Sequence, residues 1–243
     1  MRQSLSHKIE VSGIPVEIQR KAIKNLHVRI YPPHGDVRVS APLHVDDAAV
    51  RLAIVERLDW IHRHLDGFAR QPPQSVREML TGETHYFQGR GYRLDLVEQP
   101  GNPRVRIVEN STLELKVRPG TDCAGRQRVL DLWYRNQLKA QIPDLLARWE
   151  GVIGRQVAEC RIKQMKTRWG TCNIRARRIW LNLELIKKTP RCLEYVFVHE
   201  MVHLLERLHN DRFHAFMDQF MPDWRLRRAE LNQSQVTDGT SIE

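Results

Sequence analysis

Two histidines four residues apart, His199 and His203, with Glu200 beside the first, are the residues of this 243-residue chain whose types and spacing speak most directly of chemistry. The stretch reads H-E-M-V-H-L-L-E-R-L-H, an H-E-x-x-H core with His209 six residues beyond His203. On a helix, residues four apart share a face, so both imidazoles would address one metal ion. Zinc accepts imidazole nitrogen at roughly 2.0–2.1 Å, and its catalytic sites combine three protein ligands with a position for water. Glu200, next to the first ligand, can reach that water as a general base. The expected chemistry is hydrolysis with Zn2+ as cofactor and Glu200 as the catalytic group.

Apolar neighbours surround the motif: Val196, Phe197, Val198, Val202, Leu204 and Leu205. Burying two histidines and a glutamate among them costs free energy unless something satisfies their polar atoms, and a metal would do so. For the third ligand the first choice is His209, reached if the helix ends near Arg207-Leu208 and the chain turns back. His214 and Glu206 are the alternatives. The step from His203 to His209 equals that of the metzincins, although Glu206 stands where those enzymes use a turn glycine.

The elements that must position these groups can be read outward from the motif. Thr189-Pro190 marks a helix start, threonine as N-cap and proline at the first helical position. Ahead of it, Lys166–Cys172 (K-T-R-W-G-T-C) and Ile179–Leu183 flank a basic turn and read as a hairpin. Between Arg155 and Arg191 there are eleven Lys/Arg and two acids, Glu159 and Glu184. That excess could hold an anionic substrate or a nucleic-acid backbone. Arg168, Trp169 and Asn182 are the hairpin residues expected to face a substrate.

Further upstream, a helical pattern runs from about Ala124 to Trp149, with Pro143 expected to kink or split it. Val157–Lys163 reads as a strand. Residues 84–117 read as four strands separated by turn residues. One long helix is expected from about Asp46 to Ala69, on a stripe of Leu52, Val55, Leu58, Ile61 and Leu65, ended by Gln71-Pro72-Pro73-Gln74. Two hairpins precede it, the second turning at Pro32–Asp36. The fold class is α+β: a β-rich N-terminal region, residues 1–123, carrying one long helix, then a catalytic domain, residues 124–243.

An ordered set of motifs resembles a known family. K-T-R-W-G-T-C (Lys166–Cys172), W-L-N (Trp180–Asn182), V-H-E-M-V-H-L (Val198–Leu204), H-N-D-R-F (His209–Phe213) and M-P-D-W-R (Met221–Arg225) together resemble the YgjP-like, SprT-related zinc metallopeptidases over roughly residues 124–232. The resemblance implies a zincin-like catalytic domain with His199, His203 and His209 as zinc ligands and Glu200 as the base. It also implies a peptide or protein substrate. The family's last motif often carries an aromatic residue where this chain has His214.

Composition is consistent with that expectation and narrows it little. The formal net charge of +10 makes nucleotide or nucleic-acid association plausible without requiring it. The four cysteines form no C-x-x-C pair, which argues against a zinc ribbon or a disulfide framework. No apolar run approaches the ~18–20 residues of a membrane span, and the polar start lacks a secretory core, so a cytoplasmic protein is expected. The leading expectation is a metallopeptidase. The alternatives are a metal-dependent nucleoside triphosphate hydrolase, for which no Gly-rich phosphate loop is present, and a nucleic-acid-associated protease acting on DNA-bound proteins.

Overall fold

Ser12 and Gly13 both take positive φ (50° and 79°), the geometry of a tight two-residue hairpin turn, and fold β1 (Ser6–Val11) back onto β2 (Ile14–Lys21). Alternation along β2 turns Ile14, Val16 and Ile18 to one face, and all three are buried. Two further strands, β3 (His27–Tyr31) and β4 (Asp36–Pro42), complete a sheet of order β1-β2-β4-β3, in which β2 and β4 run parallel. These coordinates are a computed structural model describing residues 6–31, 35–69, 78–109 and 111–233, with the side chains of His64 and residues 66–69 left aside. Residues 32–34 of the expected Pro32–Asp36 turn and the breaker at residues 71–74 fall outside the described residues.

The long helix expected over residues 46–69 is two helices, α1 (Asp47–Val55) and α2 (Leu58–Ala69). The buried stripe is not the expected one: Val50, Ile54 and Ile61 are fully buried, whereas Leu52 and Val55 of the expected stripe are 62% and 48% exposed. Val50, Ile54 and Ile61 share a core with Val16, Ile18, Val37 and Val39 of the sheet.

A second four-stranded sheet follows, formed by β5 (Thr84–Phe87), β6 (Arg90–Glu98), β7 (Arg104–Val108) and β8 (Thr112–Val117) in the order β5-β6-β8-β7. It repeats the first. The strand order is the same, with β6 and β8 the parallel pair. The first turn is the same, Gln88-Gly89 having φ of 49° and 80°. Each sheet leads into a helix capped by an aspartate, Asp46 accepting from the Ala49 amide and Asp122 from the Gly125 amide, both at 2.8 Å. Turn and cap lie a constant 76 residues apart in the two copies, Gly13 to Gly89 and Asp46 to Asp122. The triplet Val28-Arg29-Ile30 in β3 recurs as Val105-Arg106-Ile107 in β7.

The second copy leads into α3 (Cys123–Ile153), a continuous helix of 31 residues. Pro143 lies inside it without splitting it. The residue four before it, Lys139, is exposed like Pro143 itself, so the carbonyl that loses its helical partner can turn to water. Gly154, at φ 69°, ends the helix in the left-handed conformation. One face, Leu130, Tyr134, Leu138, Ile142, Leu145 and Trp149, enters a core shared with Leu94, Leu113 and Leu115 of the second sheet. The chain divides into two compact units between residues 75 and 76, and the second sheet falls in the same unit as α3. The second sheet buries its apolar face with the C-terminal elements.

The third sheet, of order β10-β11-β9, holds the expected basic hairpin: β9 (Glu159–Lys163), β10 (Gly170–Asn173) and β11 (Arg178–Asn182). β9 runs parallel to β11, and β10 is an edge strand paired antiparallel with β11. After a short 3₁₀ turn, Leu183–Lys187, come α4 (Pro190–Val202), α5 (Asp211–Phe220) and α6 (Trp224–Gln233). The architecture of the described residues is thus α+β, with several sheets and six α-helices. No described helix is long and apolar enough to cross a membrane.

Candidate metal centre

Thr189 accepts a hydrogen bond from the Cys192 amide, and Pro190 opens α4, as the sequence suggests. The helix is buried nearly all round from Tyr195 to Val202, so His199 and Glu200 lie at 7% and 6% exposure in an apolar setting. Glu194, one turn upstream, ties α4 to two neighbours. Its carboxylate accepts from Arg148 and Trp149 of α3 and from Arg227 of α6. Burial alone would raise its pKa, but those donors outweigh burial and hold it below the usual glutamate range.

The helix stops at Val202, earlier than the expected Arg207-Leu208, and His203 is its cap residue. The amides of Leu204 and Leu205 bond back to Met201 and Val202, and the chain turns. Asn210 then caps α5 through the Phe213 amide. This short connection carries His209 back over the end of α4. His209 Nε2 lies 3.0 Å from His199 Nε2, and one donor nitrogen each from His199, His203 and His209 falls within 4.8 Å of the others. Glu206 is off the helix. Its carbonyl oxygen accepts from His203 Nδ1 at 3.1 Å, which fixes that ring's tautomer and leaves Nε2 with the lone pair. His214 is held elsewhere, its ring stacked on Trp224 at 5.8 Å and 7°.

This donor set fits a metal ion such as zinc. Burial, with His203 and His209 alongside, pushes the His199 pKa down to about 2, so its ring is a neutral nitrogen donor. His203 is also lowered by burial. Two imidazole nitrogens at 3.0 Å need a proton or a cation between their lone pairs, and a third converges on the same point. Phe213, fully buried, backs all three rings at centroid distances of 4.7–4.9 Å.

The three histidines open on a cleft of about 290 Å³ whose wall includes Arg168 to Cys172, Glu200 and Arg207. The edge strand β10 thus runs along the same cleft as the donor cluster. Burial raises the Glu200 pKa to about 8, with the Arg168 charge pulling the other way. Burial and neighbouring Glu200 push the Cys172 thiol up to about 12, which makes it a poor nucleophile at neutral pH.

Of the three residues expected to face a substrate, only Arg168 is exposed at the cleft. Trp169 contributes to the wall but is 1% exposed, with Lys188 over its ring at 5.5 Å. Asn182 is fully buried and cannot meet a substrate. Its Nδ2 donates to the carbonyls of Met165 and Arg168, and its Oδ1 accepts from the amides of Met165 and Glu184. Asn182 therefore pins the segment leading into β10. Asn182→Ala is expected to lower unfolding free energy by about 3 kcal/mol, since several buried backbone groups lose their partner at ~1–3 kcal/mol each. Urea denaturation measures this, and a change below about 0.5 kcal/mol would contradict the pinning role. Sequence reasoning also passed over Gly170 and Arg207. Arg207 carried no spacing signal, being one charge in the short connection after α4.

The basic excess is partly neutralised. Arg161 and Arg178 both pair with Glu159, Lys187 with Glu184 and Arg191 with Asp223.

Comparison with known proteins matches residues 24–234 to the family described as "YgjP-like, metallopeptidase domain", extending the likeness well beyond the C-terminal motifs. None of the curated proteins matches the chain. Among solved structures, the chain is similar to the crystal structure of the metallopeptidase zymogen of Pyrococcus abyssi abylysin. The identity is 18%, the likeness covers 38% of this chain and 93% of that chain, and the TM-score is 0.36.

Proposed function

The chain belongs to the YgjP-like metallopeptidase family, and from that premise we propose that it is a zinc-dependent peptidase with a zincin-like catalytic domain, His199, His203 and His209 holding the ion and Glu200 acting as general base. The observation that carries this reading is the convergence of the three imidazoles beside Glu200 at the end of one buried helix. Bound there, zinc would supply Lewis acidity to the scissile carbonyl and lower the pKa of water towards ~7.

The chain's own residues do the rest. His203 is held in one tautomer by the Glu206 carbonyl, so its ligand nitrogen needs no reorientation. Glu200 takes a proton from the attacking water on its carboxylate and delivers it to the leaving amine nitrogen. Its burial keeps bulk water from competing for that proton. β10 offers the free edge of its sheet to an extended peptide, pairing by β-augmentation alongside the donor cluster.

A second reading keeps the metal and changes the substrate to a nucleoside triphosphate. Arg168 and Arg207 on the cleft wall support it. The ion pairs of Arg161, Arg178, Lys187 and Arg191 weaken the related idea of a broad nucleic-acid surface.

Incubating zinc-loaded protein with a peptide library and, separately, with nucleoside triphosphates discriminates the two. Peptide cleavage that stops on chelation is the expected result. Phosphate release without peptide cleavage would transfer the site to the second reading. Binding to DNA that falls steeply with salt would mark phosphate contacts and a protease working on DNA-bound proteins.

A further inference from the structure

We propose that Gly170 is a positioning residue for Glu200: the side chain it lacks is the space in which the Glu200 carboxylate sits. A Cβ built on Gly170 would lie 2.7 Å from both Cγ and Oε1 of Glu200 and 3.0 Å from Cδ. Non-bonded carbons settle at roughly 3.5–4.0 Å, so even a methyl group cannot share this space without displacing the carboxylate.

The backbone gives no other reason for glycine here. Gly170 is absent from the positive-φ glycines, and it pairs regularly with Leu181 in β10. Glycine inside a strand is unfavourable, and it often marks the close approach of another group. The approaching group is Glu200. Its side chain has no cheap escape, because it is 6% exposed and its neighbours His199 and Met201 are buried too.

The carboxylate is thereby held against the main chain of β10. Gly170 and Glu200 are thus one place where β10 and α4 meet closely. The Asn182 hydrogen bonds to Met165 and Arg168 fix the approach to Gly170 from the other side. The catalytic consequence rests on Glu200 being the base. The steric relation does not.

Four proteins test it: the natural chain, Gly170→Ala, Glu200→Ala and the double variant. In thermal melts with excess chelator, Gly170→Ala is expected to lower Tm by about 2–12 °C when Glu200 is present, the range for an overpacked position in a chain of this size. In the Glu200→Ala background the same change is expected to leave Tm unchanged or raise it, because the methyl group then has room. Equal losses in both backgrounds would overturn the proposal. Should Gly170→Ala not fold at all, a folded double variant supports the proposal and an unfolded one overturns it.

With zinc and a cleavable peptide, Gly170→Ala is expected to lose ~10²-fold in kcat, with KM and zinc content little changed, as for a base displaced by about 1 Å. A natural kcat in this variant would overturn the positioning role. Should the natural chain cleave no peptide, the peptidase reading falls, and the melts still decide whether Gly170 shapes the Glu200 site.

Discussion

Glu200→Gln is expected to cut peptide turnover by ~10²–10⁴-fold while zinc content stays at that of the natural protein. The substitution keeps the length and shape of the side chain, so the fit against Gly170 survives. What it removes is the ability to accept a proton. None of the three imidazoles converging at the site is altered, and Glu200 is not one of the converging donors. Zinc content by metal analysis and kcat on the best library peptide together check the outcome. Undiminished turnover would take Glu200 out of the mechanism. Loss of zinc alongside turnover would make it a structural support of the site instead.

His209→Ala is expected to weaken zinc binding by more than the ~10–100-fold typical of losing an outer-shell partner, and His214→Ala by less than tenfold. The geometry separates the two sharply. His209 Nε2 is 3.0 Å from His199 Nε2, whereas the His214 ring lies flat on Trp224. His209 is exposed, so its removal should not unfold the chain, and the effect on zinc can be read without a stability correction. Competition with a chromogenic chelator measures both variants. The reverse order would give the third ligand position to His214.

The third ligand shows where sequence reasoning stopped. His199 and His203 are related by one helical turn, a local geometry that any helix imposes, so spacing alone placed them on one face. His209 is related to them by a turn outside the helix. From spacing, His209, His214 and Glu206 all remained open. The early stop at Val202, the cap at Asn210 and the Trp224 stack bring His209 beside the pair and hold His214 away from it, and each depends on packing between distant segments.

Asn182 illustrates the opposite error. A polar residue at the end of an apolar strand beside an active site looks available for substrate. Its four hydrogen bonds go to a segment 14 to 17 residues away and to Glu184, and nothing local announces them. The repeated sheet was missed because the copies share topology, turn and cap while retaining little identity beyond V-R-I. Strands need alternation and burial, which many sequences satisfy. The break between α1 and α2 was missed because Glu56-Arg57 contains no breaker residue.

By itself, then, the sequence determined the chemistry: an H-E-x-x-H helix with its threonine–proline start, a further histidine downstream and a basic hairpin ahead of it, an ordered set that pointed to a metallopeptidase. These are properties of short segments, where residue type and helical period suffice. Only the tertiary structure shows that His209 lies beside the pair while His214 stacks on Trp224, that Asn182 is buried against the segment leading into β10, that the second sheet shares a core with α3 and α4, and that Gly170 leaves room for Glu200. Those depend on which surfaces meet when segments far apart in sequence bury their apolar faces together, and no local pattern encodes that meeting.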